Sequence, residues 1–215
     1  MDCGKHASAL PSHKIAYFGG TFDPVHNGHL AVARDALQHL NLDHVYFLPA
    51  QRSPHKHHAP AVTFAQRVEM LELALEPFST LSVSTLESTL KPPVYTAEIV
   101  NRLTLEHPDA ELFWMMGADQ LPRLGEWYRI EELARRVTFL VFSRPGYVLE
   151  TAALPDLPGA RYECFTGADY NVSSSQIRAA LHSAGDCSQI IPEKVLAYIR
   201  KHHLYSHPHQ SNIDT

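Results

Sequence analysis

GGTFDPVHNGHL, residues 19–30, lies where an apolar run gives way to a helical pattern, and its reading decides the fold. The run before it, KIAYF at 14–18, mixes aromatic and β-branched residues as a buried strand does. Pro24 keeps the loop from extending that strand or starting a helix early. Beyond it Leu30, Ala33, Leu37 and Leu40 recur at helical spacing, which predicts a helix from about Asn27. The first N–H groups of such a helix lack intrahelical partners and sit at the positive end of its dipole, where anions bind. His26 and His29 are spaced to share one face of the helix start. Gly19 and Gly20 are expected to permit unusual backbone conformations and a close ligand approach. Together these features predict a triphosphate site. It is not a P-loop, because G-x-x-x-x-G-K-[ST] is absent. The plainer alternative is a glycine-rich turn with two solvated histidines.

Working outward, strand-like runs fall at 14–18, 44–48, 81–85, 111–116 and 137–142. Helical patterns fall between them at 28–40, 63–75 and 97–107, with shorter ones near 120–136. This alternation predicts an α/β fold, a Rossmann-like doubly wound parallel sheet with helices on both faces, followed by a C-terminal helical segment. One domain over residues 14–205 is expected, with loose tails at 1–13 and 206–215. Ligands of such sheets sit beyond the carboxyl ends of the strands. Chemistry is therefore expected at 19–29, 49–56, 86–96, 117–127 and 143–146.

Composition narrows the function. The 215 residues are 45% hydrophobic and 19% charged, ordinary for a globular chain. A net charge of −5 with no basic block gives no electrostatic case for nucleic acid. Cys3, Cys164 and Cys187 are an odd, scattered set with neither disulfide nor metal spacing. No long apolar span or signal-peptide core is present, so no membrane partner is expected and the chain reads as cytoplasmic. The 15 histidines raise the alternative of a metal-binding protein, but most are dispersed and His202, His203, His207 and His209 lie on or near a tail. The sequence leaves the oligomeric state open, a homo-oligomer included.

Other segments add candidates. Ser53, Pro54, His55 and Lys56 follow the second strand, and a lysine there can meet a phosphate as a flexible point charge. A zinc site from His55, His57 and His58 lacks an indicated fourth ligand, and no resident metal is assigned. Arg67, on an apolar-faced helix, is read as pairing with an acid or positioning a loop, without a catalytic role. Thr96 is placed to cap the helix after Tyr95. Gly117 and Ala118 allow close approach after the fourth strand, and Asp119 suits a ribose hydroxyl. Ser173 and Gln176 have capping-box spacing, so a helix starts at the serines with Arg178 one turn in.

These motifs carry a resemblance. GGTFDPVHNGHL resembles the H-x-G-H signature of the nucleotidylyltransferase superfamily, and from about Ile15 to Leu204 the chain is similar to the bacterial nicotinate-nucleotide adenylyltransferase family. SPHK at 53–56 resembles that family's proline-histidine-lysine loop, with serine for a second proline. Ser173–Ser174–Ser175 with Ile177 and Arg178 resembles its I-S-S-T-x-I-R segment, with serine for threonine. The family often has aspartate where Glu98 stands. The resemblance implies ATP held by Gly19, Gly20, Thr21, Phe22, His26, His29, Gly117, Asp119, Ser143, Ser174, Ser175 and Arg178. It implies nicotinate mononucleotide held by Thr21, Lys56, Tyr95, Thr96, Asp119, Trp127 and Tyr128, with Trp127 stacked on the pyridine ring and the Thr96 and Tyr128 amides on its carboxylate. His26, His29 and Arg178 are the implied catalytic donors. Mg²⁺ is expected to be bound mainly through substrate phosphates. Two other readings stay open: a different phosphate acceptor, such as nicotinamide mononucleotide or phosphopantetheine, and a nucleotide-binding sensor without turnover.

Overall fold

A computed structural model describes residues 13–51, 59–143, 154–167 and 172–206. Its sheet has six parallel strands: β1 (His13–Gly20), β2 (His44–Pro49), β3 (Leu81–Val83), β4 (Ala110–Gly117), β5 (Thr138–Ser143) and β6 (Arg161–Thr166). The helices are α1 (Asn27–Leu40), α2 (Phe64–Leu75), α3 (Thr96–Glu106), α4 (Ile130–Arg136), α5 (Ser174–His182) and α6 (Glu193–Lys201), with 3₁₀ turns at Leu86–Thr89 and Ala118–Glu126.

The strand order is β3-β2-β1-β4-β5-β6. The chain steps outward from β1 in one direction, returns, and steps outward from β4 in the other. The order therefore reverses between β1 and β4, which opens a crevice at their carboxyl ends. Period-two alternation explains the two layers. Ala16 and Phe18 point into a core shared with α1, α2, α5 and α6. Ile15 and Tyr17 point into the opposite core with α3 and α4. The doubly wound reading, with helices on both faces and a helical C-terminal segment, therefore holds.

Two features depart from the expected pattern. The strand β6 was not expected, because Arg161, Glu163 and Thr166 are exposed and RYECFT makes no apolar run. Thr96 does not cap α3. Tyr95, in extended conformation, is the cap, and Thr96 is the first helical residue. Glu98 reaches back to accept the Tyr95 N–H at 3.3 Å, and the Tyr95 carbonyl accepts the N–H groups of Glu98 and Ile99. No helix among the described residues is long and apolar enough to cross a membrane.

Candidate active site

The crevice between β1 and β4 is a cleft of about 1040 Å³. Every residue expected to bind ATP lines it: Gly19 to Phe22 across the end of β1, His26 and His29 at the start of α1, Gly117 at the end of β4 with Asp119 just beyond, Ser143 at the end of β5, and Ser174, Ser175 and Arg178 on α5. The topology thus gathers segments more than a hundred residues apart around one opening.

The two histidines are stacked, ring centroids 3.7 Å apart. The backbone N–H of His26 donates to His29 Nδ1 at 3.3 Å. A nitrogen that accepts carries no proton, so the neutral His29 ring has its proton on Nε2 and can donate from there. Phe22 supports that ring edge-on at 5.0 Å and itself packs against Phe18 and Phe47 at 5.5 and 5.3 Å. Its φ of 50° lies in the left-handed region, uncommon for a bulky residue and often found where surroundings fix a functional loop.

The unusual backbone conformations expected of Gly19 and Gly20 are not what the packing uses, although both line the cleft. Gly19 and Gly20 end β1 in register with Leu48 and Pro49, and neither has positive φ. Their missing Cβ atoms make room for aromatic rings: one at Gly19 would meet Trp114 at 2.9 Å, and one at Gly20 would meet the Phe22 ring at 2.8 Å. Phe22 is 2% exposed and has nowhere to retreat. Gly20→Ala is therefore expected to cost about 1–3 kcal/mol and to shift the ring under His29. Thermal melting and turnover should fall together; an unchanged kcat would show that Phe22 does not govern His29.

The helix starts offer fewer donors than expected. In α1 the Asn27 N–H donates to the Ile190 carbonyl and the His29 N–H to the His26 carbonyl, both at 2.9 Å. Gly28 remains the first-turn residue of α1 that lines the cleft without such a bond to the backbone. In α5 the Ser173 hydroxyl accepts the Gln176 N–H, closing the expected capping box. The Ser174 hydroxyl donates to the Pro24 carbonyl at 3.0 Å, tying α5 to the histidine loop. Arg178 donates through Nη1 to the Asp23 carbonyl at 2.7 Å and through Nη2 to Ser175 Oγ at 3.2 Å. Its fork is thereby oriented at the cleft edge with further N–H groups to offer an anion.

Arg67 does position a loop, as its sequence context suggested. It is 1% exposed and donates to the carbonyls of Thr21 at 2.7 Å and Gln51 at 3.4 Å, linking the segments after β1 and β2. Burial pulls its guanidinium below the ordinary range, opposed by Asp23, Tyr205 and Glu87. The Glu87 carboxylate accepts the Gln51 N–H at 2.7 Å. Asp23 lies inside the decisive stretch, yet no motif or spacing in the sequence marks its role. Its carboxylate accepts the Ala61 N–H and the Tyr205 O–H, each at 2.7 Å.

The residues expected at the mononucleotide divide. Thr21 and Asp119 line the cleft. Tyr95, Thr96, Trp127 and Tyr128 do not line it. Trp127 and Tyr128 follow the 3₁₀ turn that begins beside Asp119, and the Tyr95 and Tyr128 rings face each other at 4.6 Å. Trp127 is half-buried against the second core. Lys56, the rest of the 53–58 segment and residues 144–146 lie outside the described residues.

Among the described residues, the carboxylates lining the cleft are Asp23, both of whose oxygens already accept bonds, and Asp119. That donor set suits a magnesium ion whose other ligands come from phosphates and water.

Residues 17–180 match the family model described as cytidylyltransferase-like. A Bacillus cereus (strain AH187) protein named "Probable nicotinate-nucleotide adenylyltransferase" is 40% identical over 195 residues, covering 89% of this chain and 98% of that protein. The nicotinate-nucleotide adenylyltransferase of Bacillus subtilis (strain 168) is 35% identical over the same shares of each chain. Among solved structures, the nicotinic acid mononucleotide adenylyltransferase of Plasmodium falciparum complexed with NaAD superposes with a TM-score of 0.76. It is 20% identical, covers 90% of this chain and 97% of its own, and speaks to the fold.

Proposed function

The chain belongs to the cytidylyltransferase-like family and within it to the nicotinate-nucleotide adenylyltransferases, and from that premise we propose how it transfers the adenylyl group of ATP to nicotinate mononucleotide, giving deamido-NAD and pyrophosphate. The observation that carries this reading is the convergence of the stacked His26–His29 pair and Arg178 on one cleft at the reversal of strand order.

The nucleophile is the 5′-phosphate of the mononucleotide. It is ionised at neutral pH, so the site needs no general base. It attacks the α-phosphorus of ATP in line and pyrophosphate leaves. Alignment and charge neutralisation are then the protein's task. His29 Nε2–H and the His26 ring donate to α- and β-phosphate oxygens, and Arg178 with the start of α5 holds the β- and γ-phosphates. Asp119 and Thr21 orient the nucleotides. Magnesium, when bound, supplies charge neutralisation at the phosphates. Thr96 and Tyr128 amides favour a carboxylate over a carboxamide, since a carboxylate only accepts. The shift of the α3 cap to Tyr95 supports this, because it places the Thr96 N–H in the first turn, without an intrahelical acceptor.

Direct transfer has a stereochemical signature. ATP carrying one sulfur at the α-phosphorus, turned over with nicotinate mononucleotide, should give the dinucleotide with inverted configuration. Retention would require a covalent enzyme intermediate, and absence of dinucleotide would refute the reaction itself.

A further inference from the structure

Three remote segments meet on one residue of the histidine loop. Asp23 is 4% exposed. Its carboxylate takes the Ala61 N–H on Oδ2 and the Tyr205 O–H on Oδ1, while its carbonyl takes Arg178 Nη1. Tyr205 belongs to the turn after α6 and reaches Asp23 across 182 residues of sequence.

We propose that Tyr205 is a positioning residue for adenylyl transfer, acting through Asp23 to fix the histidine loop and to leave Arg178 free for the phosphates. The proposal rests on the adenylyl-transfer reading for its role, but not for the contact itself.

The turn is built to deliver this hydroxyl. The Leu204 N–H donates to the Ile199 carbonyl at 3.0 Å and Ser206 Oγ to the His203 carbonyl at 2.7 Å. His203 and Tyr205 have φ of 51° and 62°, a region that bulky side chains enter when their surroundings impose it. The Tyr205 ring packs against the core beside α6, a contact phenylalanine would keep. Only the hydroxyl distinguishes the two.

Electrostatics gives that hydroxyl a task. Among the described residues, Asp23, Arg67 and Arg178 are the charged groups that face Tyr205. A buried carboxylate deprived of one of its two donors must find another. Arg178 lines the cleft, and its Nη1 already sits on the Asp23 carbonyl. Without the phenol, the Asp23 carboxylate competes with the substrate phosphates for that guanidinium. The loss should fall on kcat more than on KM for the mononucleotide, because Arg178 acts on charge that develops during transfer.

Tyr205→Phe is the test, with Tyr198→Phe as its control. Tyr198 lies on α6 and its hydroxyl bonds Glu69 on α2. It deletes a hydroxyl from the same C-terminal segment without touching Asp23. Tyr205→Phe should lower kcat about tenfold or more, with KM for nicotinate mononucleotide changed much less. Tyr198→Phe should keep the wild-type kcat at a similar melting temperature. Equal kcat in Tyr205→Phe and wild type, or equal losses in both variants, would overturn the proposal. If Tyr205→Phe does not fold, a ring-fluorinated tyrosine at 205 keeps the shape but ionises at lower pH. Its kcat should then fall on the alkaline side where the native chain's does not, and matching profiles would overturn the proposal. If the wild type makes no dinucleotide, the reaction reading fails independently. ATP affinity by calorimetry then decides: Tyr205→Phe alone should weaken it, and equal affinities in all three chains would overturn the proposal.

Discussion

Replacing His29 with alanine is expected to lower kcat for adenylyl transfer about 10²–10³-fold while the fold persists. The ring is held by stacking on His26, by the edge-on Phe22 contact at 5.0 Å and by the His26 N–H on Nδ1. These fix its orientation before substrate arrives, so little reorganisation is needed when charge builds on the α-phosphate. Alanine removes the Nε2–H donor and the Nδ1 acceptor of the His26 N–H, and leaves the backbone bonds of the strand and α1 in place. A near-normal turnover with an unchanged melting temperature would remove His29 from the mechanism. His29→Gln is the informative companion. It keeps a donor without the ring, and partial recovery of kcat would assign the effect to the hydrogen bond.

Arg67→Ala should be the most destabilising single change near the site. The guanidinium is fully buried, and its removal leaves the Thr21 carbonyl short of a donor and the charges of Asp23 and Glu87 less balanced. A loss of about 3 kcal/mol is expected, roughly 6–12 °C in melting temperature for a chain of this size. Turnover should fall as well, because Thr21 and Gln51 lose their common tie. Lysine, with one compact ammonium in place of a planar fork, should rescue only part of the loss. A melting temperature within about 2 °C of wild type, less than the shift for 1 kcal/mol, would show that other bonds hold these loops.

Local patterns made the architecture and the cleft legible. The β1–loop–α1 unit announced itself because strand, glycines, proline and helical stripe follow one another within a short stretch. The α5 start was legible for the same reason, through Ser173 and Gln176. The edge strand β6 was not, since an exposed edge needs no apolar run. The need for Gly19 and Gly20 was visible, but its cause was not. Trp114 is far from Gly19 in sequence, and only the packed sheet brings its ring to 2.9 Å from the missing Cβ. The supports behind the site escaped most completely. Asp23 meets Tyr205 over 182 residues and Arg178 over 155, and such pairs leave no periodicity or spacing to read. Functional donors sat in motifs, whereas the residues that hold them were fixed by tertiary contact.

The most direct measurement is pyrophosphate release from ATP and Mg²⁺ with nicotinate mononucleotide or nicotinamide mononucleotide at equal concentration. Rapid release and deamido-NAD formation are expected with the acid, and a much lower rate with the amide. Equal rates would keep adenylyl transfer and discard the carboxylate contacts at Thr96 and Tyr128. No release with either would refute adenylyl transfer by this chain.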